Sequence, residues 1–413
     1  MKQIMSISSP KKNTSLIDVI IFPILILFSG WYILPAMQIT LPPRLMIILL
    51  VIAIFLNFIN ANRITREIKI FCILLACSTI IAIMYYFNTY SGDAEKAIGI
   101  ITQTIMGFSP IIIGVIIKDK SKKYQKYFII VEVALFLFIL FITSTQMFAN
   151  PYIVRMLANG NEEFNTYRLQ NIGGFGFCYA ICFLTIFLIG VLILTKVRHK
   201  FLLKSIIAYF LLFLVISEYF TALILIVVFA LAFLYKRKGS ISIITTILVV
   251  ILLVVLNCIP YFVTSTNSTV VEKIVEVSNL IFRQSTGVST TARSEVYSVS
   301  FEAFANNPLI GLNIYDSYSY SVGSHSSILD TIAKVGIIGG SIYYIIISLA
   351  WKTCNGLFQD KKKKQIMNHV FLSYLVCAFL NPAFIAYEIE YFTFALIPCL
   401  MICLKTDNEG GEV

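Results

Sequence analysis

Charge and histidine are scarce in this chain, and the scarcity decides its class. Asp, Glu, Lys and Arg make up 13% of the 413 residues, where a soluble domain has about a quarter. There are three histidines and two tryptophans. No P-loop, dinucleotide fingerprint or serine-nucleophile motif occurs, so chemistry driven by cytoplasmic ATP has no support. The nine cysteines are scattered, without zinc or disulfide spacing, and no metal or other cofactor is expected. Ten-residue alternating strands of the porin type are also missing, which excludes a membrane barrel.

Long apolar runs are what the chain has. Hydrophobic residues reach 58% and mean hydropathy is +0.87. Runs of roughly 17–25 apolar residues suit helices that cross a bilayer. They predict an all-α polytopic membrane protein with helices near 16–37, 45–61, 70–87, 98–117, 127–147, 172–195, 201–217, 219–235, 241–263, 326–351, 366–380 and 387–404. Residues 201–235 as one helix would be about 52 Å long, so a hairpin turning at Ser217-Glu218-Tyr219 is preferred. The first run is too long for a signal-peptide core and reads as a retained helix.

The net charge of +11 is explained by its placement. With the N-terminus in the cytoplasm, 24 of the 32 Lys and Arg fall in inner loops and tails, among them Arg63/Arg66/Lys69, Lys118 to Lys126, Lys196 to Lys204 and Lys361 to Lys364. That bias is the positive-inside rule and predicts cytoplasmic termini. The basic balance implies contact with anionic membrane lipid, not nucleic acid. One membrane domain then spans residues 1–413, with two long outer loops, 148–171 and 264–325. Long loops need a reason beyond connection.

The larger loop, between the ninth and tenth helices, reads as folded. Val271, Ile274, Val275 and residues 279–282 recur near helical spacing, as in a helix lying on the membrane surface. Thr290 or Thr291 can cap a second helix through Arg293, Phe301 and Phe304, ended by Pro308 and a turn at Gly311. Tyr315, Tyr318 and Tyr320 follow, suited to interfacial anchoring or to stacking on sugar rings. His325 stands where the next helix begins, and a helix N-terminus disfavours imidazolium.

Seven basic residues are expected outside: Arg44, Lys96, Arg155, Arg168, Lys273, Arg283 and Arg293. Arginine suits bidentate phosphate binding. Arg168 precedes Gly173, Gly174 and Gly176, which would permit close approach of backbone or ligand. Acidic candidates on that side are Glu218, Asp316, Asp330, Glu388 and Glu390, and Asp330 with Lys334 is spaced for an intramembrane pair.

Thr291-Ala292-Arg293, Asn307-Pro308-Leu309-Ile310-Gly311, His325-Ser326-Ser327 and Gly336-Ile337-Ile338-Gly339 occur in that order. The order and spacing resemble the O-antigen polymerase and O-antigen ligase superfamily of bacterial envelope glycan assembly. Arg168 followed by glycines at a helix entry is a second match. The chain departs from the pattern at Glu218, where an arginine is frequent, and at Ser326, where asparagine is common.

The resemblance implies a membrane glycosyltransferase of GT-C-like architecture in the bacterial cytoplasmic membrane, with its site facing outward. It implies an undecaprenyl-pyrophosphate-linked oligosaccharide as substrate, with a chain-length regulator and a flippase as partners. In that reading Arg168 and Arg293 hold the pyrophosphate, with Arg283 in reserve, and His325 serves as base or positions the acceptor. Glu218, Asp316, Tyr318 and Tyr320 are the further substrate contacts. Polymerase is favoured over ligase, because polymerases diverge more from the shared motifs. A lipid-linked oligosaccharide flippase or secondary transporter is the alternative of another class.

Overall fold

The computed structural model describes residues 16–61, 65–88, 94–150, 153–158, 164–235, 288–312, 322 and 326–404. The expected span 241–263, the surface helix at 271–282, Arg283, Asp316, Tyr318, Tyr320 and His325 lie outside the described residues. All regular structure among the described residues is helical. Among the described residues, seven segments are long and apolar enough to cross a bilayer: Leu16–Ile33, Pro43–Asn60, Arg66–Met84, Ala97–Lys118, Lys122–Ala149, Phe175–Leu194 and Ser327–Gly356. The protein is an all-α chain embedded in a membrane.

The apolar runs are interrupted where backbone chemistry requires it. The first run divides into α1 (Leu16–Ile33) and α2 (Pro35–Thr40), because Pro35 brings no N–H to continue the ladder. After α3 (Pro43–Ala61) and α4 (Arg66–Asn88), the run near 98–117 divides the same way into α5 (Ala94–Phe108) and α6 (Pro110–Lys118). α7 (Lys122–Ala149) is capped by Ser121, whose hydroxyl accepts from the Tyr124 N–H at 3.3 Å.

Two short helices, α8 (Ile153–Ala158) and α9 (Phe164–Leu169), occupy the loop before α10 (Phe175–Leu194). α11 (Lys200–Ile216) and α12 (Phe220–Tyr235) are separate helices, and the chain reverses through Glu218 at φ 59°. The hairpin therefore forms without glycine or proline, by placing one acidic residue in the left-handed region.

α10 is the centre of the bundle, with a run of buried residues from Gly176 to Phe187. α11, α12 and α15 (Lys361–Leu380) pack around it, as does α16 (Tyr387–Tyr391). Lipid is as apolar as leucine, so this packing is held by close van der Waals contact rather than by escape from water. Aromatic rings supply much of it: Tyr32 stacks on Tyr391 at 5.2 Å, and Phe136 meets Phe392 edge-on at 5.5 Å. Beyond α16 a single π turn, Phe392–Leu396, leads into α17 (Ile397–Cys403).

Polar contacts define two ends. At one, Lys120 Nζ lies 2.6 Å from Asp18 Oδ1 and donates to Asn57 Oδ1 at 2.7 Å, and Asn57 in turn bonds Glu67. Lys118 donates to the Gly356 carbonyl at 3.2 Å, and Lys363 to that of Leu404 at 2.7 Å. Arg66 also lies beside Gly356, so three of the basic clusters singled out in the sequence meet at one end. The opposite end carries Arg168, Glu388 and the segment 381–384.

At that opposite end, α13 (Val288–Asn306) lies against α14 (Ser327–Gly356). α14 is broken at Gly336, with φ 64° and ψ −169°, which frees backbone groups on both sides. The turn after α13 fills the break. Ile337 N–H donates to the Pro308 carbonyl at 2.8 Å and Ile338 N–H to that of Leu309 at 3.2 Å. Leu312 N–H returns a bond to the Ala333 carbonyl at 2.9 Å. Unpaired groups in an apolar setting are costly, so the turn and the broken helix complete one another.

Candidate functional site

Two carboxylates on α16 organise the end opposite the lysines. Glu388 and Glu390 are two residues apart, a spacing that sends helical side chains to different faces. Glu388 reaches over α10, where the absence of a side chain at Gly176 leaves it room. Glu390 turns to α5, where a Cβ on Gly107 would stand 3.1 Å from both of its oxygens. The two acids, separated by Ile389 alone, face different surroundings.

Glu388 is neutralised locally. Gln38 Nε2 donates to its Oε1 at 3.1 Å, and Arg168 Nη2 lies 3.9 Å from the same oxygen. Arg168 also donates to Gln38 Oε1, and its guanidinium sits 5.1 Å from the Phe164 ring centre. The turn that presents Arg168 is fixed by Asn171 at φ 59°, whose side chain accepts from the Ala36 N–H at 3.1 Å. The expected close approach at the glycine run is made by the protein's own Glu388.

Glu390 is fully buried, and neither oxygen has a hydrogen-bond partner among the described residues. It borders a cavity of about 730 Å³ whose lining mixes polar and apolar side chains. Arg44, Gln103 and Lys334 are exposed around the cavity, and Thr104 and Asp330 line it as buried groups.

Asp330 does not pair with Lys334, as its spacing had suggested. Its Oδ1 accepts from Ser300 Oγ on α13 at 2.8 Å, and its Oδ2 from the Ser326 N–H at 3.1 Å. Ser326 Oγ in turn accepts from Leu329 N–H at 3.2 Å, a reciprocal cap on α14. Capping and docking of α13 satisfy this acid and leave Lys334 to the cavity. Ser327 also lines the cavity and receives the Phe384 N–H at 2.8 Å.

The residues singled out in the sequence divide among several places. Arg168 is bound to Gln38 and Glu388 and is not part of the cavity lining. Arg293 belongs to α13, four residues before Tyr297, whose hydroxyl donates to the Leu380 carbonyl at 3.2 Å. Glu218 occupies the α11–α12 turn beside Tyr219, which has Arg155 5.8 Å from its ring centre. Burial pushes the Glu218 carboxyl above the ordinary carboxylate range, with Arg155 opposing.

Three buried acids, Asp18, Glu67 and Glu132, were not singled out in the sequence. Glu132 stands within the run 127–147, fully buried, and accepts from the Tyr391 hydroxyl. An ionisable residue inside an apolar span was the available signal. Gln38 carried no such signal, because only the fold brings it to Glu388.

No protein-family model matches this chain, and no characterised protein matches its sequence.

Proposed function

We propose that the protein is a polysaccharide repeat-unit polymerase of the bacterial cytoplasmic membrane. It transfers a growing glycan from an undecaprenyl-pyrophosphate carrier onto the next lipid-linked repeat unit at the outer face. One observation carries the reading. Ser327, Asp330 and Lys334, all from the segment that bears the motif resemblance, line one cavity, and the Asn307–Gly311 motif is hydrogen-bonded into the helix that presents them.

The chemistry follows from the groups present. An acceptor hydroxyl oxygen attacks the anomeric carbon of the donor, and a new carbon–oxygen bond forms. The bond from that carbon to the pyrophosphate oxygen breaks, and the lipid pyrophosphate leaves with the electron pair. The hydroxyl proton passes to a base. Glu390 fits that role, with two oxygens that accept nothing from the described residues, and His325 precedes the cavity-lining Ser327 by two residues. Cations at the cavity supply stabilisation of the departing charge.

A transporter is the second reading, favoured by Glu132, because carboxylates inside spans commonly serve ion or proton paths. A deletion strain separates the two. Loss of the protein should leave glycan of one repeat unit at the cell surface, and Arg293→Ala and His325→Ala variants should fail to restore length. Lipid-linked units retained on the cytoplasmic face would overturn the polymerase reading in favour of transport.

A further inference from the structure

Arg168 is already committed to Gln38 and Glu388, and the anion of a lipid-linked substrate needs other cations. Arg44, near the start of α3, and Lys334, just before the break in α14, are exposed and line the same cavity. Neither forms an ion pair with a described acidic side chain. Lys334 is fixed by backbone: Gly311 packs directly against its carbonyl group, and the neighbouring Ala333 carbonyl receives the Leu312 N–H.

A second cavity adjoins the first. It is an apolar groove of about 1050 Å³ along α14 and α15, with Ile73 of α4 at one side. Thr331, Tyr343 and Phe384 belong to both linings, so the groove and the cavity share a wall. A molecule that fills both carries an anionic head and a long apolar tail.

We infer that Arg44 and Lys334 bind the diphosphate of a polyprenyl diphosphate whose tail runs through the α14–α15 groove. This inference rests on the proposed function and assigns the diphosphate to cations other than Arg168 and Arg293. Two charge-assisted contacts from different helices select a diphosphate over a single charge. The groove contributes direction more than affinity, because a tail leaving lipid for an apolar groove gains little. Glu390 and Thr104 line the same cavity and are left for the acceptor hydroxyl.

The test uses full-length protein in phosphatidylcholine nanodiscs and farnesyl diphosphate as the probe. Saturable binding is expected, weakened at least tenfold in Arg44→Ala and in Lys334→Ala. Inorganic diphosphate should compete only weakly, and added phosphatidylglycerol should not compete. Ser348→Trp, which fills the groove, should block the farnesyl probe while inorganic diphosphate still binds. Unchanged affinity in the Arg44→Ala/Lys334→Ala double variant overturns the inference, as does equal competition by phosphatidylglycerol. Unchanged farnesyl binding in Ser348→Trp, or a groove photocrosslink to residues 241–263 instead of the probe, overturns the tail assignment.

Lys334→Arg should retain binding and separates loss of charge from loss of fold. Wild-type protein that binds the probe but makes no polymer removes the polymerase reading and leaves the binding site. Polymerisation with unaltered affinity in the double variant does the reverse.

Discussion

Gly311 and Gly336 lie on the two sides of one backbone-to-backbone contact. A Cβ on Gly311 would collide with the Lys334 carbonyl, and a Cβ on Gly336 with the Leu309 carbonyl. Both also hold positive φ, 85° and 64°, and the Gly336 conformation is one that other residues essentially never adopt. Gly311→Ala and Gly336→Ala should each destabilise the fold by about 3 kcal/mol or more, strain and collision together. Gly340→Ala, with its nearest neighbour Ile332 at 3.4 Å, should be tolerated. Thermal unfolding of the purified variants checks this, and an unchanged midpoint for Gly336→Ala contradicts it.

The Arg168–Glu388 contact predicts a coupling between two variants. Arg168→Ala strands a carboxylate that is mostly buried, whereas the Arg168→Ala/Glu388→Gln pair removes the charge as well. A double-mutant cycle should return a coupling on the order of 1 kcal/mol. Stability should be restored in the double variant, while glycan length stays short if Arg168 also serves the reaction.

Glu218 predicts a pH dependence. Its carboxyl is held above the ordinary range near 4.3, so its neutral form is the one the fold favours. That contribution is complete below the ordinary value and is lost as pH rises through the raised one. Unfolding midpoints of wild type and Glu218→Gln should agree near pH 4 and diverge by neutral pH, with the variant the more stable. Parallel curves across that window count against the assignment.

Glu390→Gln is nearly isosteric and keeps the seat over Gly107. In the proposed reaction it should lower the turnover of purified enzyme by 10² or more, with little change in binding of the lipid-linked donor. Glu390→Asp should recover part of the rate. Equal loss of turnover and of donor binding would make Glu390 a binding residue instead.

Much of this fold was legible in the sequence because bilayer thickness and backbone hydrogen bonding constrain it heavily. The reversal at Glu218 was placed from helix length and from the positive charge flanking both ends, and Pro308 and Gly311 marked the end of α13 and its turn. The helix breaks were less visible. The breaks at Pro35, Pro110 and Gly336 fall inside apolar runs that hydropathy reads as continuous.

The candidate site was legible in its parts and not in its pairings. Arg44, Arg168, Asp330, Lys334 and Glu390 stood out as charges beside apolar runs. Their partners are set by tertiary contacts that spacing does not encode. Asp330 and Lys334 are spaced as a helical pair, yet Ser300, from thirty residues upstream, takes the acid. Gln38 meets Glu388 across 350 positions.

The central claim is polymerisation, and one reconstitution tests it most directly. Purified protein in liposomes, supplied with the undecaprenyl-pyrophosphate-linked repeat unit, should convert it to a ladder of longer lipid-linked glycans and release undecaprenyl pyrophosphate in matching amount. Units that stay single, or that cross the bilayer without being joined, would contradict the account.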